Sequence, residues 1–190
     1  GLAGERVLAI ARLRLSRRAR AKTGLPHGLE LLGLVAFADP LKKSAGAAVA
    51  KARDLGVGLM ILTGDSLEVA GAVARQIGLI ASPDEVISGE GLFKLPLEAQ
   101  KKAMERAKVV ARVTPEGKHE IIRLLAESRE VGFLGEGIND APALKAAGVS
   151  LAVDHASEIA REAADIILLK KDLSVIVDGI REGRSVFINI

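Results

Sequence analysis

An α/β fold, a Rossmann-like three-layer α/β/α arrangement around a parallel sheet, is predicted by three features of this sequence. From Leu29 onward, apolar β-rich runs alternate with amphipathic helical stretches. The runs are short and lack strict alternation, as strands buried on both faces do. The polar residues suited to chemistry gather at the carboxyl ends of those runs, where ligand sites in such folds lie.

Residues 5–15 alternate well enough for one strand. A basic stretch follows, with Arg17, Arg18, Arg20 and Lys22, then the loop residues Gly24, Pro26 and Gly28. A solvated connector accounts for it, because nothing else in the chain supports a nucleic-acid arm. Strands are then expected at Leu31–Phe37, Val57–Thr63, Val109–Arg112, Val131–Leu134, Val149–Val153 and Ile166–Leu169. Helices are expected at Lys42–Leu55, Leu67–Ile77, Leu97–Ala107, Pro115–Glu127, Ala141–Ala147, Ser157–Ala163 and from Leu173 onward. The last places Leu173, Ile176, Val177, Ile180 and Phe187 on one face. It should pack on the sheet as far as Ile180 and leave the domain beyond it.

Composition narrows the function. The 190 residues suit one domain with a small appendage, and 49% apolar content is ample for a core. Four Phe with no Trp or Tyr leave little surface for stacking bases, so a single-stranded nucleic-acid partner is not expected. A net charge of +3 implies no polyanionic partner. The absence of Cys excludes disulfides and thiolate zinc sites. No run approaches the length needed to span a bilayer. The chain begins at Gly1 and runs out inside an apparent helix, as a piece of a longer protein would.

The run Gly135-Glu136-Gly137-Ile138-Asn139-Asp140-Ala141-Pro142-Ala143-Leu144 is the most informative. It follows a buried strand and opens a helix, with Asp140 placed as N-cap and Pro142 in the first turn. Polar side chains at a helix N-terminus after a sharp turn suit phosphate or a phosphate-bound cation. Thr63-Gly64-Asp65-Ser66 also joins a strand to a helix. Its hydroxyl can meet a phosphoryl oxygen, or Asp65 or Ser66 can simply cap the helix. Lys118 lies near the start of a helix opened by Thr114-Pro115, where a cation is unfavourable unless something anionic is close. Arg112 ends its strand, within reach of a nucleotide or free to snorkel. Asp39, held extended by Pro40, is either a polar member of the site or a turn residue.

In order and spacing these motifs resemble the haloacid dehalogenase-like phosphotransferase fold, and within it the P-type cation-transporting ATPases. Phe37-Ala38-Asp39-Pro40, Thr63-Gly64-Asp65, Ala111 through Lys118 and the Gly135 run are similar to four successive motifs of that family. Ile159 through Leu169 is similar to the stretch before its fifth membrane helix, and the residues at Ala160–Leu169 and around Gly132-Phe133-Leu134 look most like magnesium-importing members, with calcium and proton pumps close behind. The resemblance implies a division into residues 1–28, the last strand of a nucleotide-binding domain plus linker, 29–172, the phosphorylation domain incomplete at its N-terminus, and 173–190, a stalk helix. It implies ATP and Mg²⁺ as cofactors and a transported cation and a membrane as the parent's partners. The domain itself would be a soluble piece at the cytoplasmic face. Thr63 and Lys118 would hold phosphoryl oxygens, with Asn139 and Asp140 supporting catalysis. Glu136 and Asp140 would serve the metal, and Asp65, Gly64, Arg112 and Asp39 the nucleotide and its surroundings.

Two departures matter. The family's Asp-Lys-Thr-Gly-Thr nucleophile run is absent, Lys22-Thr23-Gly24 being preceded by Ala21. This chain alone is therefore expected to be inactive, and its sheet to lack a central strand. Glu136 stands where the family has Asp, and a longer carboxylate should weaken Mg²⁺ binding. A soluble phosphatase of the same fold and an inactive nucleotide-binding remnant are the competing readings.

Overall fold

The computed structural model describes residues 6–13, 28–37, 41–170 and 172–188. Asp39 therefore lies outside the described residues. Strand β1 (Arg6–Arg12) pairs antiparallel with β2 (Glu30–Phe37). The expected strand at Leu31–Phe37 thus exists but stands apart from the parallel sheets, joined instead to residues expected to belong to another domain. Apolar residues face outward on both sides of this ribbon, with Leu8, Leu31 and Leu34 each at least 60% exposed. The Arg12–Glu30 ion pair at its end is itself half exposed and adds little.

The remaining strands form two parallel sheets of three strands each. The first has the order β3 (Ile61–Leu62), β5 (Val109–Ala111) and β4 (Val86–Ser88) across the sheet; the second runs β6 (Gly132–Gly135), β7 (Val149–Val153), β8 (Ile166–Leu168). A single continuous sheet was expected; instead β3 and β6 each stand at the edge of a sheet. Strand β4 has no counterpart among the expected strands, since Val86-Ile87 is too short an apolar run to stand out.

Helices cover both faces. Helices α1 (Ala45–Asp54) and α2 (Leu67–Gln76) pack on one face of the first sheet, where Val49, Ala70 and Ala74 meet Val109 and Ala111. On the other face, α3 (Gly89–Phe93), α4 (Leu97–Arg106) and α5 (Pro115–Ala126) place Leu92, Met104, Ile121 and Leu124 against Val110. Successive residues of β5 thus feed opposite cores, as period-two strand geometry requires. Helix α5 also sends Ile122 under the second sheet, where α6 (Ala141–Ala146) and α7 (Glu158–Glu162) surround Phe133 with Ala143, Leu144 and Ala160. Helix α8 (Ser174–Ile188) closes the far face, its Val175 and Ile176 packing on Leu151, Val153 and Leu168. Arg184 of α8 donates to the Leu55 carbonyl at the end of α1. Leu62 of β3 packs into the cores beneath both sheets. Beyond Ile180, Phe187 and Ile188 are more than 80% exposed. No helix among the described residues is long and apolar enough to cross a membrane.

Gly135 shows how tightly β6 meets α6. A Cβ there would lie 2.8 Å from the Asp140 Cβ and 3.3 Å from the Leu144 Cγ. Around Gly58, by contrast, nothing lies within 4 Å. Gly135→Ala should therefore destabilise by about 1–3 kcal/mol through overpacking, while Gly58→Ala should stay within about 0.5 kcal/mol. Urea unfolding midpoints of the two variants measure the difference.

Candidate phosphoryl-transfer site

Two groups of predicted residues come together, each at the carboxyl ends of strands. The first begins at Thr63, just past β3. Its hydroxyl donates to Asp65 Oδ2 at 3.1 Å and accepts from the Asp65 N–H at 3.1 Å. The cap of α2 is Ser66, whose Oγ accepts from Val69 N–H at 3.4 Å, so Thr63 is not spent on capping. Backbone bonds stitch this loop to the end of β5: Arg112 N–H donates to Asp65 O at 2.9 Å and Val113 N–H to Thr63 O at 3.0 Å. Making both contacts twists Arg112 into the left-handed region, φ 52°. That conformation is uncommon for a side chain other than Gly, Asn or Asp. Gly64, Asp65 and Arg112, expected at the nucleotide, thus share one corner, with Gly64 and Arg112 exposed.

The second group centres on Asp140. Lys118, on the first turns of α5, donates from Nζ to Asp140 Oδ1 at 2.6 Å. Asp140 Oδ2 accepts from the Glu136 and Gly137 N–H groups at 3.2 and 3.1 Å. The anion that Lys118 called for at a helix N-terminus is therefore a carboxylate of the chain itself. Asp140 stands at the expected N-cap position of α6, but its side chain makes no capping bond. Residues Ile138–Asp140 form a 3-10 turn, Asp140 has helical backbone angles, and its side chain reaches back to the loop instead of capping α6.

The pair is well covered, with 18% of the Lys118 side chain and 14% of the Asp140 side chain exposed. Burial by itself pushes the Asp140 carboxyl up. The hydrogen bond and charge of Lys118, with the Gly137 and Glu136 N–H groups, outweigh burial and hold it below its ordinary value.

Glu136 and Asn139 are exposed at the mouth of the loop. The Glu136 carboxylate makes no hydrogen bond or ion pair among the described residues, whereas its carbonyl accepts from Ser157 N–H at 2.9 Å. Sequence reading missed Ser157 as part of the site. It was legible as the start of a helix, but nothing local pairs it with a loop on the neighbouring strand. No cluster of three or more His, Cys, Asp or Glu side chains able to hold a metal exists among the described residues.

Because its folded pKa is depressed, Asp140 contributes stability that is full above the unfolded carboxyl value and lost as pH falls through the lower folded one. Asp140→Asn should cost about 2 kcal/mol at pH 7, the scale of a charged hydrogen bond. That deficit should narrow below about pH 4. Urea midpoints of both proteins at pH 7 and pH 3 check it.

This arrangement has relatives. A family model described as haloacid dehalogenase-like hydrolase matches residues 5–148. Over 189 residues, 98% of its length, the chain is 42% identical to the magnesium-transporting ATPase, P-type 1, of Escherichia coli K12, covering 21% of that protein. It is 36% identical over 172 residues to the probable cation-transporting ATPase F of Mycobacterium tuberculosis H37Rv, covering 87% of this chain and 19% of that protein. The chain thus spans about one fifth of the length of these relatives. A crystal structure of a zinc-transporting PIB-type ATPase superposes with a TM-score of 0.68 at 26% identity, covering 99% of this chain and 24% of that one. A second crystal structure of such a pump, in another state, gives 0.65 at 29% identity, over 84% and 22%. The chain belongs to the haloacid dehalogenase-like hydrolase family and is homologous to the phosphorylation domain of P-type cation-transporting ATPases.

Proposed function

We propose that this chain forms the phosphorylation domain of a P-type ATPase in which ATP hydrolysis proceeds through an aspartyl-phosphate and drives a cation, magnesium on the strength of the 42% identity, across a membrane. The observation that carries this reading is the pair of edges at β3 and β6. Each belongs to a separate parallel sheet, each ends in a site loop, and Leu62 packs beneath both. A parallel apolar strand seated between them would bring its last residue to Thr63 on one side and Glu136 on the other. We assign the nucleophilic Asp to such a strand, supplied from elsewhere in the polypeptide, because no Asp-Lys-Thr-Gly run exists in these 190 residues.

In this reading the incoming carboxylate attacks the γ-phosphorus of ATP, the bond to the bridging oxygen breaks, and ADP leaves. The chain's own residues position the group and neutralise charge. The Thr63 hydroxyl and Lys118 Nζ hold the transferring oxygens, and Lys118 shares its charge between phosphate and Asp140. Gly64, Asp65 and Arg112 face the nucleotide, and Asp39 is assigned a polar role in the same site. Asn139, exposed beside Glu136, supports the same loop. Mg²⁺ binds through one or two carboxylates, with phosphates and waters completing its shell. Glu136 fits that role, being exposed and uncommitted among the described residues, whereas both Asp140 oxygens are engaged within the protein. When bound, the ion offsets the charge of the phosphate. Residues 1–28 form the last strand of a nucleotide-binding domain plus a basic linker, 29–172 the phosphorylation domain and 173–190 a stalk helix. The membrane and the transported cation belong to the rest of the parent, and this domain to its cytoplasmic face.

The test uses the full-length protein. Incubation with ATP labelled at the γ-phosphate should give an acid-stable, hydroxylamine-labile phosphoenzyme, and Lys118→Ala should lower its rate of formation about 100-fold or more. A phosphoenzyme unaffected by Lys118→Ala, or none in the intact protein, would refute the reading.

A further inference from the structure

We infer that Ser157 is a positioning residue for the Glu136 carboxylate, acting through its backbone N–H; this rests on the reading of Glu136 as the cation ligand. The peptide unit joining Glu136 to Gly137 is clamped at both ends. Its carbonyl accepts from Ser157 N–H at 2.9 Å, and its N–H donates to Asp140 Oδ2 at 3.1 Å. A glycine on one side of a peptide lets the plane rotate cheaply. Here rotation would lose both bonds and turn the carbonyl dipole onto the Asp140 carboxylate. Holding that peptide fixes the backbone from which the Glu136 side chain starts.

Ser157 is itself well anchored. Its hydroxyl caps α7, accepting from Ala160 N–H at 3.2 Å, and Ala160 is fully buried against the core around Phe133. The clamp therefore ties the Glu136 loop to a helix that follows a different strand, β7. Groups that orient metal ligands from outside the coordination shell commonly govern affinity 10–100-fold.

Ser157 has φ −57° and ψ 149°, angles that proline adopts without strain. Ser157→Pro thus removes the N–H together with the cap, while Ser157→Ala removes only the cap. Affinity for Mn²⁺, used as a spin-active substitute for Mg²⁺, can be read by water-proton relaxation on the full-length protein, whose incoming strand completes the site. Ser157→Ala should lower the melting temperature by a few degrees yet leave Mn²⁺ affinity within about twofold of wild type. Ser157→Pro should weaken it by about tenfold and speed hydrogen exchange at the Gly137 amide. Should Ser157→Pro not fold, the wild-type full-length protein gives the answer: saturation with Mg²⁺ should slow exchange of the Ser157 and Gly137 amides together. Equal Mn²⁺ affinity in the two Ser157 variants, or a Ser157 amide exchanging at the unprotected rate, overturns the inference. Glu136→Gln separates the two levels. If it binds Mn²⁺ like wild type, the ligand reading fails and the inference with it. If it loses binding while Ser157→Pro does not, only the inference fails.

Discussion

The site depends on one part-buried carboxylate. Asp140 holds Lys118 with one oxygen and the turn at Glu136 and Gly137 with the other. Either half alone would leave a part-buried charge poorly compensated, at a cost of about 2 kcal/mol. Together they join α5 to the loop after β6, fixing a cation and an acidic side chain relative to each other. Gly135 is part of the same contact, since only a residue without Cβ lets Asp140 come so close to β6.

The link matters because the strands do not supply it. Among the described strands no ladder connects β3 with β6, so the two halves of the domain are joined by side chains and helices. Helix α5 serves both cores from adjacent residues, Ile121 toward one sheet and Ile122 toward the other. Its N-terminal end carries Lys118, and its cap Thr114 follows Val113, whose N–H is bonded to Thr63. A continuous path of bonds thus runs from the Thr63 loop through α5 to Asp140 and on to Ser157. Phosphoryl transfer asks for such fixed placement of charge.

Much of this was legible in the residues. The helices at Ala45–Asp54, Leu67–Gln76, Leu97–Arg106 and Pro115–Ala126 and the strands at Val109, Gly132, Val149 and Ile166 follow from periodic or short apolar runs, whereas the short helix α3 was not expected. Thr63 and the Gly135 run stood out as polar groups at strand ends, and Lys118 as a cation near a helix N-terminus, unfavourable there without an anion. What was not legible is tertiary. The side-chain bond from Asp140 back to its own loop competes with capping, and sequence favoured the cap. The antiparallel pairing of β2 with β1 spans a basic linker that hides it. Strand β4 is too short to announce itself, and Ser157 reaches Glu136 only because β7 lies beside β6.

The most direct test of this account is a double-mutant cycle on Lys118 and Asp140, reading unfolding free energies of wild type, Lys118→Met, Asp140→Asn and the double variant at pH 7. The account predicts a coupling of about 1.5 kcal/mol or more, with the double variant less damaged than the sum of the single ones. Additive effects, with coupling below about 0.3 kcal/mol, would mean that Asp140 and Lys118 do not organise the site together.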